Sequence, residues 1–240
     1  MSGQPLADPA ISLQDVSRRF GPARALDDVD LTVAGGEIVV LVGANGAGKS
    51  TLLRIVATTM LPDSGGGTVA GLPLLEADRR IRARLGVVLG DERAWYWRLS
   101  GRMNLEFFAA LDGLEPEAAR GRAIELLDLA GLTAVADKPF SAYSTGMRLR
   151  LSLARALIAR PAILLLDEPT RSVDLQGRRA FHELLLRLGH DRRAAILLAT
   201  HDLDEAVELG DRIVVLADGR VVAQLTGASR TDIEAALSHR

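Results

Sequence analysis

The sequence predicts an α/β fold: a buried parallel sheet flanked by helices, with an antiparallel β edge and a helical lobe inserted in the core. Three observations predict it. Glu37–Val42, Ala162–Leu166 and Ala194–Ala199 are short apolar runs that stop abruptly at glycine or polar residues, as strands buried on both faces do. Ile11–Val16 and Val29–Val33 instead alternate apolar and polar residues, as half-buried strands of an antiparallel sheet do. From about Gly101 to Ala159 the apolar spacing becomes helical. With 240 residues, 48% of them hydrophobic, the chain has ample material for such a core.

Residues 1–10 read as an unstructured lead without the basic and apolar regions of a signal peptide. No apolar run approaches the roughly 18 residues of a membrane span, so any work at a membrane needs another chain to cross it. There is no cysteine, which excludes disulfides and thiol chemistry. A net charge of −2 gives no broad attraction for nucleic acid, and none is expected as a partner.

The first alternating strand runs to Arg19-Phe20-Gly21-Pro22, a turn. Phe20 reads equally as a platform for a stacked base or as a plain core aromatic. After the second strand, Gly35-Gly36 turns into the buried run Glu37–Val42. Then comes Gly43-Ala44-Asn45-Gly46-Ala47-Gly48-Lys49-Ser50-Thr51, which fits the phosphate-binding loop G-x-x-x-x-G-K-[ST], with a helix over Thr51–Ala57. Glycines let the backbone bend around a phosphate, and N–H groups at the helix start point at the anion. Lys49 would reach the β- and γ-phosphates of a nucleotide and Ser50 would ligate Mg²⁺. The core resembles that of the P-loop NTPases (RecA-like). Lys49 is one of only two lysines, the other being Lys138.

Pro62–Gly67 reads as a loop, Thr68–Ala70 and Leu85–Leu89 as strands. In the helical block, Met103, Leu105, Phe107, Phe108 and Leu111 share one broad face, and Pro116 suits a first helical turn. Ala162–Leu166 runs into Asp167-Glu168-Pro169-Thr170. Ligands of open α/β sheets gather beyond the carboxyl ends of strands. Asp167 would hold Mg²⁺ and Glu168 would orient the attacking water. A helix is expected over Leu175–Leu188, and the next buried strand ends in Thr200-His201-Asp202, where His201 would contact the γ-phosphate. Ile213–Leu216 and Val221–Ala223 flank Asp218-Gly219 as a hairpin, and Thr231 with Glu234 spells a capping box for a short last helix.

Together with Tyr143-Ser144-Thr145-Gly146-Met147 at a helix start, these motifs resemble the ATP-binding cassette (ABC) ATPases of membrane transporters. The resemblance spans roughly 11–225, with the helical lobe at about 91–159 and a short C-terminal helix in 226–240. Residues 143–147 match that family's signature motif, in a form similar to the drug- and polyketide-efflux (ABC-2 type) exporters. The resemblance implies that Ser144, Thr145 and Gly146 meet ATP in trans, across a dimer of two cassettes. Ser172 and Asp174 match its D-loop, which crosses that interface. His201 becomes a sensor of the γ-phosphate, and Lys49, Glu168 and His201 the catalytic set. The implied partners are a separate integral-membrane permease and a second ATPase subunit, a homodimer ahead of a heterodimer, peripheral on the inner face of the cell membrane. An importer or a polysaccharide or lipid exporter shares this chemistry; a non-transport ATPase of the family is the remote alternative.

Two departures stand out. Where the family has a Q-loop glutamine the chain reads Gly90-Asp91, leaving Asp91 as a further candidate metal ligand, and the D-loop carries Arg171. Just beyond, Ala94-Trp95-Tyr96-Trp97-Arg98 lies where the family receives a coupling helix of the permease; it reads as an interface anchor or as packing between lobes.

Overall fold

A computed structural model describes residues 9–76, 79–89, 95–191 and 193–238. In chain order these form β1 (Ile11–Phe20), β2 (Ala23–Val33), β3 (Ile38–Val42), α1 (Lys49–Val56), β4 (Ser64–Val69) and β5 (Leu72–Pro73). There follow α2 (Arg79–Arg82), β6 (Leu85–Leu89), α3 (Gly101–Leu111), α4 (Pro116–Leu129) and α5 (Thr145–Ala156). The chain then returns through β7 (Ile163–Asp167), α6 (Leu175–Leu186), β8 (Ala195–Thr200), α7 (Leu203–Leu209), β9 (Arg212–Ala217), β10 (Arg220–Thr226) and α8 (Arg230–Ser238).

Two sheets carry the fold. One is six-stranded in the order β10-β9-β3-β8-β7-β6, parallel except for β10. The other is antiparallel, in the order β2-β1-β4-β5. The continuous apolar runs have a direct cause. Ile38, Val40 and Val42 of β3 point into the core shared with the helical block, while Val39 and Leu41 point into the core shared with the antiparallel sheet and α1. A strand buried on both faces has no polar side to alternate with.

That arrangement also aligns the functional strand ends. β3 pairs β8 with Val42 opposite Thr200, and β8 pairs β7 with Ala199 opposite Asp167. Three neighbouring parallel strands therefore finish at one level, and their carboxyl ends open on the same side.

Several local expectations are corrected. Ser64–Gly67 is not loop but the first part of β4, paired to β1. Asp15, in the left-handed region at φ 51°, interrupts the β1 register there. A Cβ at Gly65 would overlap the Asp15 carbonyl and one at Gly67 the Ser12 carbonyl, so at these two positions the strand lies too close to β1 for a side chain. On α3 the buried face is narrower than expected. Leu105 and Phe108 are buried but Met103 and Leu111 are exposed, and the inward position next to Leu105 is polar Asn104. Its side-chain amide donates to the carbonyls of Tyr96, Leu99 and Ser100 and its oxygen accepts from Tyr96 N–H, tying the preceding loop to the helix.

The helix begun at Leu175 ends at Leu186 and widens into a π-turn over Arg187–Asp191. The last helix begins two residues early, and its box is Ser229 with Asp232 rather than Thr231 with Glu234. Asp232 accepts from Ser229 N–H at 2.8 Å, while Glu234 pairs with Arg230 at 2.8 Å.

Candidate functional site

The phosphate loop joins β3 to α1. Gly48 sits at the helix N-cap with φ 108°, and a Cβ there would overlap the Ala25 carbonyl oxygen of β2. The loop is thus wedged against β2 and admits only glycine at that point. Ala44, Asn45 and Gly46 are exposed at its rim, and Ser50 and Thr51 open the helix half-buried. Lys49 is buried, and its ammonium donates to the carbonyls of Gly43 at 2.7 Å and Ala44 at 3.2 Å. Burial pushes its pKa below the ordinary lysine value, and the charges of Glu168 and Asp167 pull it back, so all three groups share one field.

β7 delivers Asp167, whose Oδ1 is buried without a hydrogen-bond partner among the described residues. An orphaned carboxylate oxygen beside an ammonium fits a hard cation, which Asp167 and Ser50 are suited to hold. Glu168 follows in the left-handed region at φ 46°, its N–H donating to Ala199 O at 2.9 Å. The left-handed turn lifts its side chain off the strand toward β8, where His201 Nδ1 meets Glu168 Oε2 at 2.8 Å. A small cavity of about 50 Å³ lies here, lined by Glu168, Thr170, Arg171, Thr200, His201 and Asp202, among others. Lys49, Asp167, Glu168 and His201 are thus one constellation, drawn from three adjacent strand ends.

Phe20 ends β1, half exposed, with the Arg18 guanidinium 5.2 Å from its ring centroid. It is not a core aromatic. The stretch 143–147 opens α5. Ser144 is the N-cap, its hydroxyl accepting from Met147 N–H at 3.3 Å, with Ser144 and Thr145 exposed. Gly146 is buried against α6, where a Cβ would stand 2.9 Å from Gly177 Cα. Tyr143 is buried and donates from its hydroxyl to Val135 O. Ser172 and Asp174 are exposed, and Asp174 caps α6 by accepting from Gly177 N–H at 2.7 Å. Gly90 and Asp91, the altered Q-loop and third metal candidate, lie outside the described residues, as does Ala94.

The aromatic stretch divides between its two readings. Trp95 is buried, stacked on Phe140 at 4.9 Å and edge-on to Phe108 at 5.4 Å. Tyr96 and Trp97 are partly exposed, and Arg148 of α5 lies 4.6 Å over the Trp97 ring. Sequence reasoning missed a buried polar cluster behind the strand ends, formed by Thr170, His182 and Glu205. His182 lies among Phe181, Leu184 and Leu185 in the apolar periodicity of α6, and that placement conceals it. Among the described residues no helix is long and apolar enough to cross a membrane.

Comparison with known proteins agrees with this geometry. The ABC transporter family profile matches residues 26–171, well over half of the chain. The daunorubicin resistance ATP-binding protein DrrA3 of Streptomyces coeruleorubidus is 40% identical over 236 residues, 95% of this chain and 74% of the relative. The aliphatic sulfonates import ATP-binding protein SsuB 1 of Burkholderia lata is 42% identical over 219 residues, 91% of this chain and 65% of the relative. Among solved structures, a dimeric ATP-binding cassette in a post-hydrolysis state with ADP and Pi bound superposes with a TM-score of 0.79 at 28% identity, covering 91% of this chain and 99% of that one. The strand-end constellation, the phosphate loop and these likenesses lead to one assignment: the chain belongs to the ABC transporter family, as an ATPase that uses ATP with Mg²⁺ and works with a membrane permease.

Proposed function

We propose that this ATPase powers export of amphiphilic, drug-like cargo through a separate permease, hydrolysing ATP by attack of a water that Glu168 positions. The observation that carries the chemistry is the Glu168–His201 contact of 2.8 Å beyond the ends of adjacent strands, in the field of buried Lys49. The carboxylate accepts from the attacking water and orients it; the imidazole lies where the γ-phosphate is sensed. Backbone N–H groups of Gly43–Thr51 and the Lys49 ammonium hold the phosphates. Ser50 and Asp167 would hold Mg²⁺, which supplies charge neutralisation at the phosphate oxygens. Phe20, its one face against Arg18, offers the other to the adenine ring.

Ser144, Thr145 and Gly146 serve the ATP of a second subunit, and Ser172 and Asp174 lie in the dimer face; a homodimer is favoured. Their exposure at two helix starts, with the buried Gly146–Gly177 contact beneath, supports this reading. The cassette domain is taken as 11–225, with the helical lobe at about 91–159 and a terminal segment at 226–240. Tyr96 and Trp97 face a permease that holds the subunit at the inner face of the cell membrane. Export is favoured by the daunorubicin resistance relative, and import by the sulfonate relative, with the same ATP chemistry in both.

Glu168→Gln tests the chemistry. It should bind ATP normally and lose turnover by about 100-fold or more; near-normal hydrolysis by the purified variant would falsify the role. Purification from native membranes in mild detergent tests the transport half. A multi-span permease should come down with the chain, and a cell lacking the chain should accumulate an amphiphilic dye. Unchanged dye content would remove the export reading and leave the ATPase standing.

A further inference from the structure

A second polar cluster lies behind the strand ends, with His182 and Glu205 buried at its centre. His182 on α6 and Glu205 on α7 are both about 1% exposed. His182 Nε2 meets Glu205 Oε1 at 3.0 Å, and its Nδ1 meets Glu208 Oε2 at 2.9 Å. Carboxylates only accept, so an imidazole bonded to two of them at once is donating from both nitrogens. Burial opposes that charge, but the bonds to Glu205 and Glu208 outweigh it and raise the His182 pKa.

The same Glu205 oxygen accepts from Thr170 Oγ1 at 2.7 Å. Thr170 stands two residues past Glu168. Thr200, which directly precedes His201, accepts from Asp202 N–H at 3.0 Å. One turn earlier on α6, Arg178 pairs at 2.6 Å with Asp202, the N-cap of α7 and the residue after His201. Both chain segments that carry the Glu168–His201 pair are therefore fastened to α6 from behind.

A buried ion pair is poor evidence for stability, since apolar residues of the same size often fold as well or better. Glu168 also holds a left-handed backbone, which persists only where its surroundings over-determine it. We propose that the His182–Glu205 pair is a positioning device for ATP hydrolysis: through Thr170 it holds the segment that carries Glu168 to α6, the helix whose Arg178 holds Asp202 beside His201, so that the two strand ends keep one geometry. The inference rests on the roles given above to Glu168 and His201.

The test is ATPase kinetics of the full chain with Thr170→Val, Thr170→Ser, His182→Leu and the double variant His182→Leu/Glu205→Leu, with melting midpoint and ATP affinity measured alongside. Thr170→Val removes one hydroxyl and keeps the shape. It should lower kcat about tenfold or more with KM for ATP within about twofold, since a small misplacement of a reacting group is costly. Thr170→Ser should restore most of the rate. The apolar double variant should stay slow even where it melts as high as the parent, which separates positioning from stability. A normal kcat in Thr170→Val, or full turnover in a stable double variant, overturns the proposal. Glu168→Gln assayed in parallel separates the two readings. Normal hydrolysis there removes the role of Glu168 and this positioning role with it; slow Glu168→Gln beside a normal Thr170→Val removes the positioning role alone.

Discussion

His182 and Glu205 keep opposite charges inside the core, and that has a consequence for pH. The His182 pKa is raised above 6.5, so its contribution to stability is complete below the unfolded value and is lost as pH climbs through the folded one. Burial works against the charge on Glu205, but the bonds from His182 and Thr170 outweigh it and lower its pKa below 4.5. Its contribution is complete above that value and is lost as pH falls through the folded one. Both are present together between 4.5 and 6.5. The melting midpoint of the parent minus that of His182→Leu/Glu205→Leu should peak in that window and decline on both sides. A difference flat from pH 4 to 9 would show that the pair is not charged. At Gly48 the expectation is steric. Gly48→Ala forces a side chain onto φ 108° and into the Ala25 carbonyl. It should cost about 1–3 kcal/mol of stability and more than about tenfold in ATP affinity, read by calorimetry; unchanged binding would mean that the loop can reshape.

At the scale of elements, the contact that matters most is α5 against α6. Gly146 and Gly177 let the two helix starts touch, and a Cβ on Gly177 would lie 2.8 Å from Val173 Cγ1 and 3.0 Å from Gly146 Cα. Gly177→Ala should destabilise the chain by about 1–3 kcal/mol, by overpacking. It should also displace the Ser144–Gly146 turn, so ATP-driven pairing of subunits should weaken more than ATP binding does. Equal loss of both, or of neither, would separate the crossing from the signature turn. Arg148 and Arg155, about two turns apart on α5, lie over Trp97 and Phe108 at 4.6 and 3.6 Å, and Arg155 also lies 5.6 Å from the Trp95 ring. They tie the aromatic stretch to the helix that begins at Ser144.

At the scale of the molecule, an exposed Leu175 directly after Asp174 is the largest apolar side chain beside the D-loop positions. In the proposed dimer it is covered. Glu168→Gln with ATP and Mg²⁺ should run as a dimer by light scattering and return to monomer when Mg²⁺ is chelated. Adding Leu175→Glu should keep it monomeric with the melting midpoint unchanged. A dimer that survives Leu175→Glu would move the interface elsewhere.

Much of this was legible in the residues. The apolar runs ending in Gly43, Asp167 and Thr200 named the strands, because a doubly buried strand admits little else. The spacing of Gly43, Gly48, Lys49 and Ser50 named the loop, because phosphate tolerates few backbones. Other features needed the fold. Ser64–Gly67 looks like a loop until its pairing to β1 sets Gly65 and Gly67 against the Asp15 and Ser12 carbonyls, and the last helix takes Ser229 with Asp232 as its cap in place of Thr231 with Glu234. His182 reads as one polar residue in an apolar helix. Only the tertiary structure sets it against Glu205 and Glu208 and connects it to Thr170. Local chemistry is written in neighbouring residues and survives without context. A buried polar pair draws its partners from segments 23 and 26 residues away, and nothing short of the folded chain says which carboxylate an imidazole will meet.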